Sequence, residues 1–270
     1  MKQPLSEIED FYQNKYNEND RMARNPIEFM RCMEIISRFL QKENMEIADI
    51  GGATGVFSYW LKEQGHSVHL LDFTARHIDQ AKENGRKKGI SLASYTCGDA
   101  RKTPYAHGQF DLILEMGPLY HLQGSNDRLM CLKEARRVLK NDGVVICEAI
   151  SRYANIFDGH KFGFMDDEKF VRILDENLLT GKHTPGDTPY FTTAFFHTPC
   201  LMKNELEQAG FSDIKLIAVE GFASAINTDT ITTDDKRMQL MLKYIRNTES
   251  VPELLGVSSH FIATGVKRAK

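Results

Sequence analysis

No apolar run in the 270 residues approaches the roughly 20 that a membrane-spanning helix needs, so a helical membrane class is excluded. The start, Met1-Lys2-Gln3-Pro4, has no apolar segment of the signal-peptide type. Cysteine is scarce and odd in number: Cys32, Cys97, Cys131, Cys147 and Cys200 form no C-x-x-C pair. Reduced thiols in a cytoplasmic protein are the reading this supports, rather than a disulfide framework or a zinc site. No H-E-x-x-H is present, and Asp166-Asp167-Glu168 opens a helical stretch, where carboxylates suit the helix dipole. No metal site is therefore expected. Charge of one sign is lacking too. The net charge is −3, and the only basic run, Arg86-Lys87-Lys88, reads as a helix end, so no nucleic-acid partner is expected. Repeats and low-complexity segments are absent. Apolar and charged contents of 41% and 26% are those of a globular chain, which at this length is one large domain or one domain with an insertion.

What is present is concentrated between Met45 and Asp72. Ile47-Ala48-Asp49-Ile50 reads as a short strand, Gly51-Gly52-Ala53-Thr54-Gly55 as a tight loop, and Val56-Phe57-Ser58-Tyr59-Trp60-Leu61 as the start of a helix. Gly65 stands where a helix C-cap glycine belongs, and Val68-His69-Leu70-Leu71 is a second strand ending on Asp72. Glycines permit a tight strand-to-helix turn and close approach of backbone to a ligand. The helix start offers free N–H groups to an anion. An acid ending the second strand can accept from ribose hydroxyls, and the 21 residues from Gly51 to Asp72 suit one βαβ unit. A dinucleotide loop, G-x-G-x-x-G, would need glycines at Ala53 and Val56, so the NAD pattern fails at two of its three positions.

The same rhythm continues. A helix is expected over about 76–88, strands over Leu92–Cys97 and Phe110–Glu115, a helix from about Asn126 to Leu139, and a buried strand over Val144–Ile150 after the turn signal Asn141-Asp142-Gly143. Asp213–Val219 and Phe261–Lys267 complete the strands. These elements predict an α/β fold: a doubly wound, mostly parallel seven-stranded sheet with an antiparallel edge strand, plus a helical cap. Residues 1–44 read as the N-terminal helical cap, 45–150 as the nucleotide-binding core, 151–197 as an aromatic-rich lid insertion, and 198–270 as the last helices and strands.

Asp49-Ile50-Gly51-Gly52-Ala53-Thr54-Gly55 resembles motif I of the class I S-adenosylmethionine (SAM) methyltransferases, with Ala53 replacing the middle glycine. The resemblance covers about residues 45–150 and extends to the C-terminal helix and strands. It implies SAM as cofactor, bound through Gly51, Gly52, Ala53 and Gly55 of the loop. Asp72 would hold the ribose and Phe73 would pack on the adenine. Asp99 and Ala100 of Gly98-Asp99-Ala100 would meet the adenine edge, and the backbone at Glu115-Met116-Gly117 the methionine part. Asp49 reads as orienting the loop, with direct contact to the ligand left open. Gly117-Pro118-Leu119-Tyr120-His121-Leu122 is similar to a segment of small-molecule methyltransferases, which implies a small-molecule acceptor. The Asn/Asp-Pro-Pro-Tyr signature of amino methyltransferases acting on nucleic-acid bases or protein glutamine is missing.

Methyl transfer from a sulfonium needs alignment and exclusion of water, and a base only where the nucleophile arrives protonated. Candidate bases are His121, His197, Tyr120 and His160. Tyr16, like Tyr12, either packs on the helix expected to start at Asn25-Pro26 or closes over the cofactor. Arg21 either pairs with the methionine carboxylate or an acidic substrate, or faces solvent. Nine of the 25 Phe and Tyr residues lie in 151–197, too many for an idle solvated loop. The expectation is a pocket wall that brings Tyr153, Phe164, Phe195 or His197 near the sulfonium. Two other readings stay open: an NAD-dependent oxidoreductase on the same sheet, and a SAM-binding regulatory protein without catalysis.

Overall fold

In the computed structural model the described residues are Phe11, 26–226 and 236–269. Tyr12, Tyr16 and Arg21 lie outside them. Alternating apolar residues make the strands two-faced, and each face finds its own helices. Strands β1 (Glu46–Ile50), β2 (Ser67–Asp72), β3 (Ser94–Cys97) and β4 (Phe110–Glu115) alternate with helices α2 (Val56–Glu63) and α3 (Ala75–Lys88), after an opening helix α1 (Pro26–Ser37). Helices α4 (Pro118–His121) and α5 (Ser125–Val138) lead into β5 (Leu139–Ile150). On one face, Ala48, Ile50, Ile113 and Val145 pack under Leu132 and Ala135 of α5. On the other, Ile47, Leu70, Leu112 and Ile146 pack under Ile35 of α1, Tyr59 of α2 and Ile78 of α3. Burying both faces is what a parallel sheet requires.

The insertion forms α6 (Ala154–Lys161), a short 3₁₀ turn, α7 (Glu168–Thr180) and a two-residue hairpin, β6 (Lys182–His183) with β7 (Ala194–Phe195). Asp167 caps α7 by accepting from Lys169 N. The chain then forms α8 (Pro199–Gln208), β8 (Ser212–Ala218), α9 (Lys236–Thr248), α10 (Pro252–Leu255) and β9 (His260–Val266). Thr198 caps α8 by accepting from Leu201 N, with Pro199 in the first turn.

The main sheet has the order β3-β2-β1-β4-β5-β9-β8, and β9 runs antiparallel to both of its neighbours. The fold class is as expected, but the antiparallel strand is not at the edge. β9 returns into the gap beside β5, and β8 takes the edge. The Asn141-Asp142-Gly143 turn also differs. It lies inside β5 as a bulge, with Asp142 at φ 62 and the β4–β5 register jumping between Phe110 and Leu112. Arg86-Lys87-Lys88 closes α3 ahead of Gly89 in the left-handed region, as a helix-end charge complement should.

Candidate active site

Strand order reverses at β1, whose neighbours β2 and β4 lead to opposite halves of the sheet; ligands bind at the carboxyl ends there. Asp49 pairs in register with Leu70 and with Leu114, and Asp72 with Cys97, so the four strand ends lie level along one edge. A cleft opens on that edge. Its lining includes Asp49, Gly51, Gly52 and Ala53 from the first loop, and Asp72 with Phe73 from the second. Gly98, Asp99 and Ala100 line it beyond β3, and Met116, Tyr120 and His121 beyond β4.

The loop is shaped for close approach. A Cβ on Gly51, which sits at φ +75, would lie 2.6 Å from Cδ of Pro118, and one on Gly52 would lie 2.5 Å from the Asp49 carboxylate. Ala53 holds φ 46, a conformation that glycine adopts without steric cost, so the backbone keeps the glycine shape although the residue does not. Asp72 fixes the loop from the side. Its Oδ2 accepts from Ala53 N at 3.0 Å, while Oδ1 accepts from Thr74 N at 2.8 Å and meets His77 Nδ1 at 3.0 Å.

Asp49 is fully buried; Oδ2 accepts from Ser58 Oγ at 2.6 Å and Oδ1 has no partner. Burial, then the Asp72 charge, push its carboxyl up to about 6 against the pull of Ser58. An unpartnered buried carboxylate oxygen beside a glycine cradle fits a ligand that carries a cationic amino group, as SAM does. Asp99 is gripped by Arg101 through Nε at 3.0 Å and Nη2 at 2.6 Å. Burial raises its pKa, but the Arg101 hydrogen bonds outweigh this and hold it below the ordinary value. Phe73 is 41% exposed, an aromatic ring left bare at the cleft.

Two expected residues stand outside the cleft, and the side chain of a third, Glu115, whose expected contact is through its backbone, turns away from it. Gly55 is the left-handed residue before α2 and packs against Tyr59, not the cleft. Glu115 points away from the cleft and is fully buried, with Cys131 Sγ at 3.3 Å and Cys147 Sγ at 3.8 Å. Burial pushes it up to about 7. Strand alternation explains this: Met116 follows Glu115 and takes the other side. His197 is also fully buried, with Nε2 at 3.2 Å from Glu205, and burial holds its pKa below the ordinary value. Of the other candidate bases, Tyr120 donates its hydroxyl to Met116 O at 3.0 Å, and His160 is exposed on α6. His121 lines the cleft.

The insertion's aromatics do not wall the cleft in the way expected. Tyr153, Phe164 and Phe195 are not among its lining residues. Phe164 packs with Phe170 and Tyr190, and Phe195 lies under Arg128, whose guanidinium is 3.6 Å from the ring centre. The insertion's Phe191 lies behind the cleft-lining His121, its ring 6.2 Å from that of His121 and 5.8 Å from that of Phe11.

A helical cap from residues 1–44 was expected, but the residues by which α1 meets the cleft were not. Glu28, Phe29 and Cys32 cover the cleft, with Phe29 stacked on Phe57 of α2 at 5.6 Å. The helix reads in sequence through its apolar residues, and those read as core whichever neighbour they meet. Also missed was His260, which meets Glu220 at 2.6 Å and lies 4.0 Å from Glu28. These three groups bring ligand-type atoms within 4.8 Å of one another. Burial would lower the pKa of His260, but the charges of Glu220, Glu28 and Glu148 outweigh it and raise it to about 10. His260 Nδ1 is shared with Glu220 and approaches Glu28, which makes the three groups an ion-pair cluster in this structure.

This pair has a testable pH signature. The folded His260 pKa lies above the ordinary 6.5, so the folded state holds the proton more tightly. The stabilisation is complete below pH 6.5 and is lost as pH rises toward about 10. The melting temperatures of wild type and His260→Gln should converge across that window. A constant gap would show that His260 contributes packing alone.

A glycine-cradled cleft at the switch point of this sheet defines a nucleotide-binding α/β protein. A family model described as "Methyltransferase domain" matches residues 48–147. A demethylmenaquinone methyltransferase of Lactobacillus johnsonii is 31% identical over 174 residues, covering 62% of this chain and 67% of that one. A glycine/sarcosine N-methyltransferase of Halorhodospira halochloris is 27% identical over 177 residues, covering 62% and 66%. In fold, a SAM-dependent methyltransferase of Methanosarcina mazei superposes with a TM-score of 0.61 at 17% identity, covering 87% of this chain and 98% of that one. The chain belongs to the class I SAM-dependent methyltransferases, with SAM as cofactor and methyl transfer as the reaction. Among the described residues, no helix is long and apolar enough to cross a membrane.

Proposed function

We propose that the chain transfers the methyl group of SAM to a small-molecule acceptor. The observation that carries this is the gathering of the Gly51–Gly52 cradle, Asp49, Asp72 and Asp99 in one cleft. Asp72 would accept from the ribose hydroxyls, and Phe73 would cover one face of the adenine. Asp99 would take the adenine amine, and Ala100 would offer its N–H to the ring. Asp49, with one carboxylate oxygen unpartnered, would serve the amino group of the methionine part, together with the Met116 backbone. SAM supplies an activated methyl on sulfur; the protein's work is to align, desolvate and enclose. His121 is the base within reach of the cleft when an acceptor arrives protonated. The small-molecule class is supported by the two curated relatives, named for menaquinone and for glycine and sarcosine methylation. All five cysteines are free, which favours a cytoplasmic setting.

Calorimetric titration with SAM, S-adenosylhomocysteine and NAD tests this. Both sulfur nucleosides should bind and NAD should not. NAD binding with no response to SAM would overturn the assignment.

A further inference from the structure

A second cleft, of about 370 Å³, opens at the amino ends of β4 and β5, opposite the cofactor edge. Its lining includes His107, Lys133, Arg136, Arg137, Lys267 and Arg268. Topology gathers these residues. Lys133, Arg136 and Arg137 lie in the last two turns of α5, and their spacings of three and four put them on one side of it. β9 runs antiparallel to β5 with Val266 beside Val144, so the chain leaves the sheet there through Lys267 and Arg268. From Val144 to Ile150, β5 covers about 20 Å on its way to the cofactor edge.

Part of the charge is answered by carboxylates. Arg137 holds Glu134 through Nη2 at 2.7 Å and Nε at 2.8 Å, and Arg268 bridges Asp142 and Asp213. Arg136 and Lys267 are held differently. Arg136 Nε donates to Gly210 O at 2.9 Å and Nη2 to Arg268 O at 3.4 Å, while Lys267 Nζ donates to Leu139 O at 2.6 Å. Gly210 follows α8 and Leu139 caps α5, so these bonds complement two helix ends, a structural use of the cations. Carbonyls carry no net charge, however. Among the described residues, neither Arg136, Lys267 nor the exposed Lys133 is paired with a carboxylate. Lys267 is only 5% exposed, and burial, then the charges of Arg136 and Arg137, hold its ammonium below its ordinary pKa. Helix ends alone do not require like charges to crowd in this way, and an anion among them would relieve the repulsion.

Donors for such an anion are at hand. Arg136 keeps Nη1 unbonded, and Lys267 spends one of its three N–H groups on Leu139. A guanidinium fork beside ammonium groups suits the several oxygens of a phosphate. The volume is at the lower end of the range for small-molecule sites, which favours a small anion over a nucleic-acid strand.

We propose that Lys133, Arg136 and Lys267 form a binding site for a small phosphate-bearing anion, separate from the cofactor cleft.

The test uses the full chain at fixed ionic strength in chloride, titrated calorimetrically with inorganic phosphate and with glycerol 3-phosphate, with and without saturating S-adenosylhomocysteine. At least one anion should bind with a saturating isotherm, and S-adenosylhomocysteine should leave its dissociation constant within about twofold, as independent sites require. The free ion binding more tightly would identify phosphate itself as the ligand, and the ester binding more tightly would identify a phosphate ester. Lys133→Gln and Arg136→Gln should each weaken binding about tenfold, the loss expected for one charge-assisted contact. Lys133→Arg should restore it. Lys133 is exposed and tied to no other side chain, so Lys133→Gln reads binding without loss of the fold. Lys87→Gln, an equal change of net charge at an exposed position of α3, should bind as wild type does. The proposal is overturned if neither anion binds, if S-adenosylhomocysteine displaces the anion, or if Lys133→Gln and Arg136→Gln bind as wild type does. Equal weakening by Lys87→Gln would overturn it too, for then only net charge is read. So would tighter binding of an oligothymidylate than of either small anion, for then the face takes a strand.

Discussion

Replacing Asp72 by Asn should weaken SAM binding by about 1.5–3 kcal/mol, roughly 10- to 150-fold in dissociation constant. The expected loss is large because this carboxylate has two duties. Toward the ligand it is the acid at the end of the second strand, where ribose hydroxyls would need an acceptor. Toward the protein it holds Ala53 N, Thr74 N and His77. Ala53 is in the left-handed region, and its N–H is pinned by Asp72 Oδ2, so the loop's shape depends on that bond. Asn keeps the size and one acceptor oxygen, so the fold should survive, and calorimetry on a protein with a cooperative melt is the relevant measurement. An unchanged dissociation constant would mean that Asp72 serves the loop alone.

Arg128→Leu should cost about 3–5 kcal/mol of folding stability. Arg128 is 2% exposed and is gripped by Glu205 through Nε at 3.0 Å and Nη2 at 2.7 Å. Its Nη1 donates to the carbonyls of Leu122 and Gln123, both at 2.9 Å, which ties the segment carrying Tyr120 and His121 to α8. His197 meets the other side of Glu205 at 3.2 Å. Removing the arginine leaves the buried Glu205 carboxylate without its charged partner, and three carbonyl or carboxylate acceptors lose a charged donor. Urea denaturation measures the loss. The double variant Arg128→Met/Glu205→Leu should recover part of it, because neither charge is then stranded. A loss below about 1 kcal/mol in the single variant would show that water reaches the pair. The same network predicts that His197→Ala reduces stability and leaves SAM affinity unchanged, the behaviour of a structural histidine.

Local rules carried far in this chain. The loop Gly51–Gly55, its strand and its helix follow from φ preferences and strand-to-helix packing, which act over a few residues. Asp72 and Asp99 reach the cleft because each ends a parallel strand, and parallel strands end on one edge. Spacing along the chain also separated this loop from a dinucleotide loop at Ala53 and Val56.

Long-range placement was a different matter. Glu115 and Met116 are neighbours in sequence yet lie on opposite sides of β4, and only the pleat's phase against the sheet decides which meets the cleft. His121 and His197 were equivalent as candidates, but Arg128 and Glu205, 77 positions apart, claim one of them for the core. β9 enters beside β5 instead of taking the edge, which brings His260 next to Glu220 and within 4.0 Å of Glu28. The sequence by itself determined the βαβ unit, the parallel core and the cofactor edge, because those depend on short-range sterics and on the regular alternation of elements. The tertiary structure alone decided which buried histidine is structural, which carboxylate closes the cleft and where the antiparallel strand inserts. Those outcomes are set by contacts between residues far apart in the chain, and no local pattern encodes them.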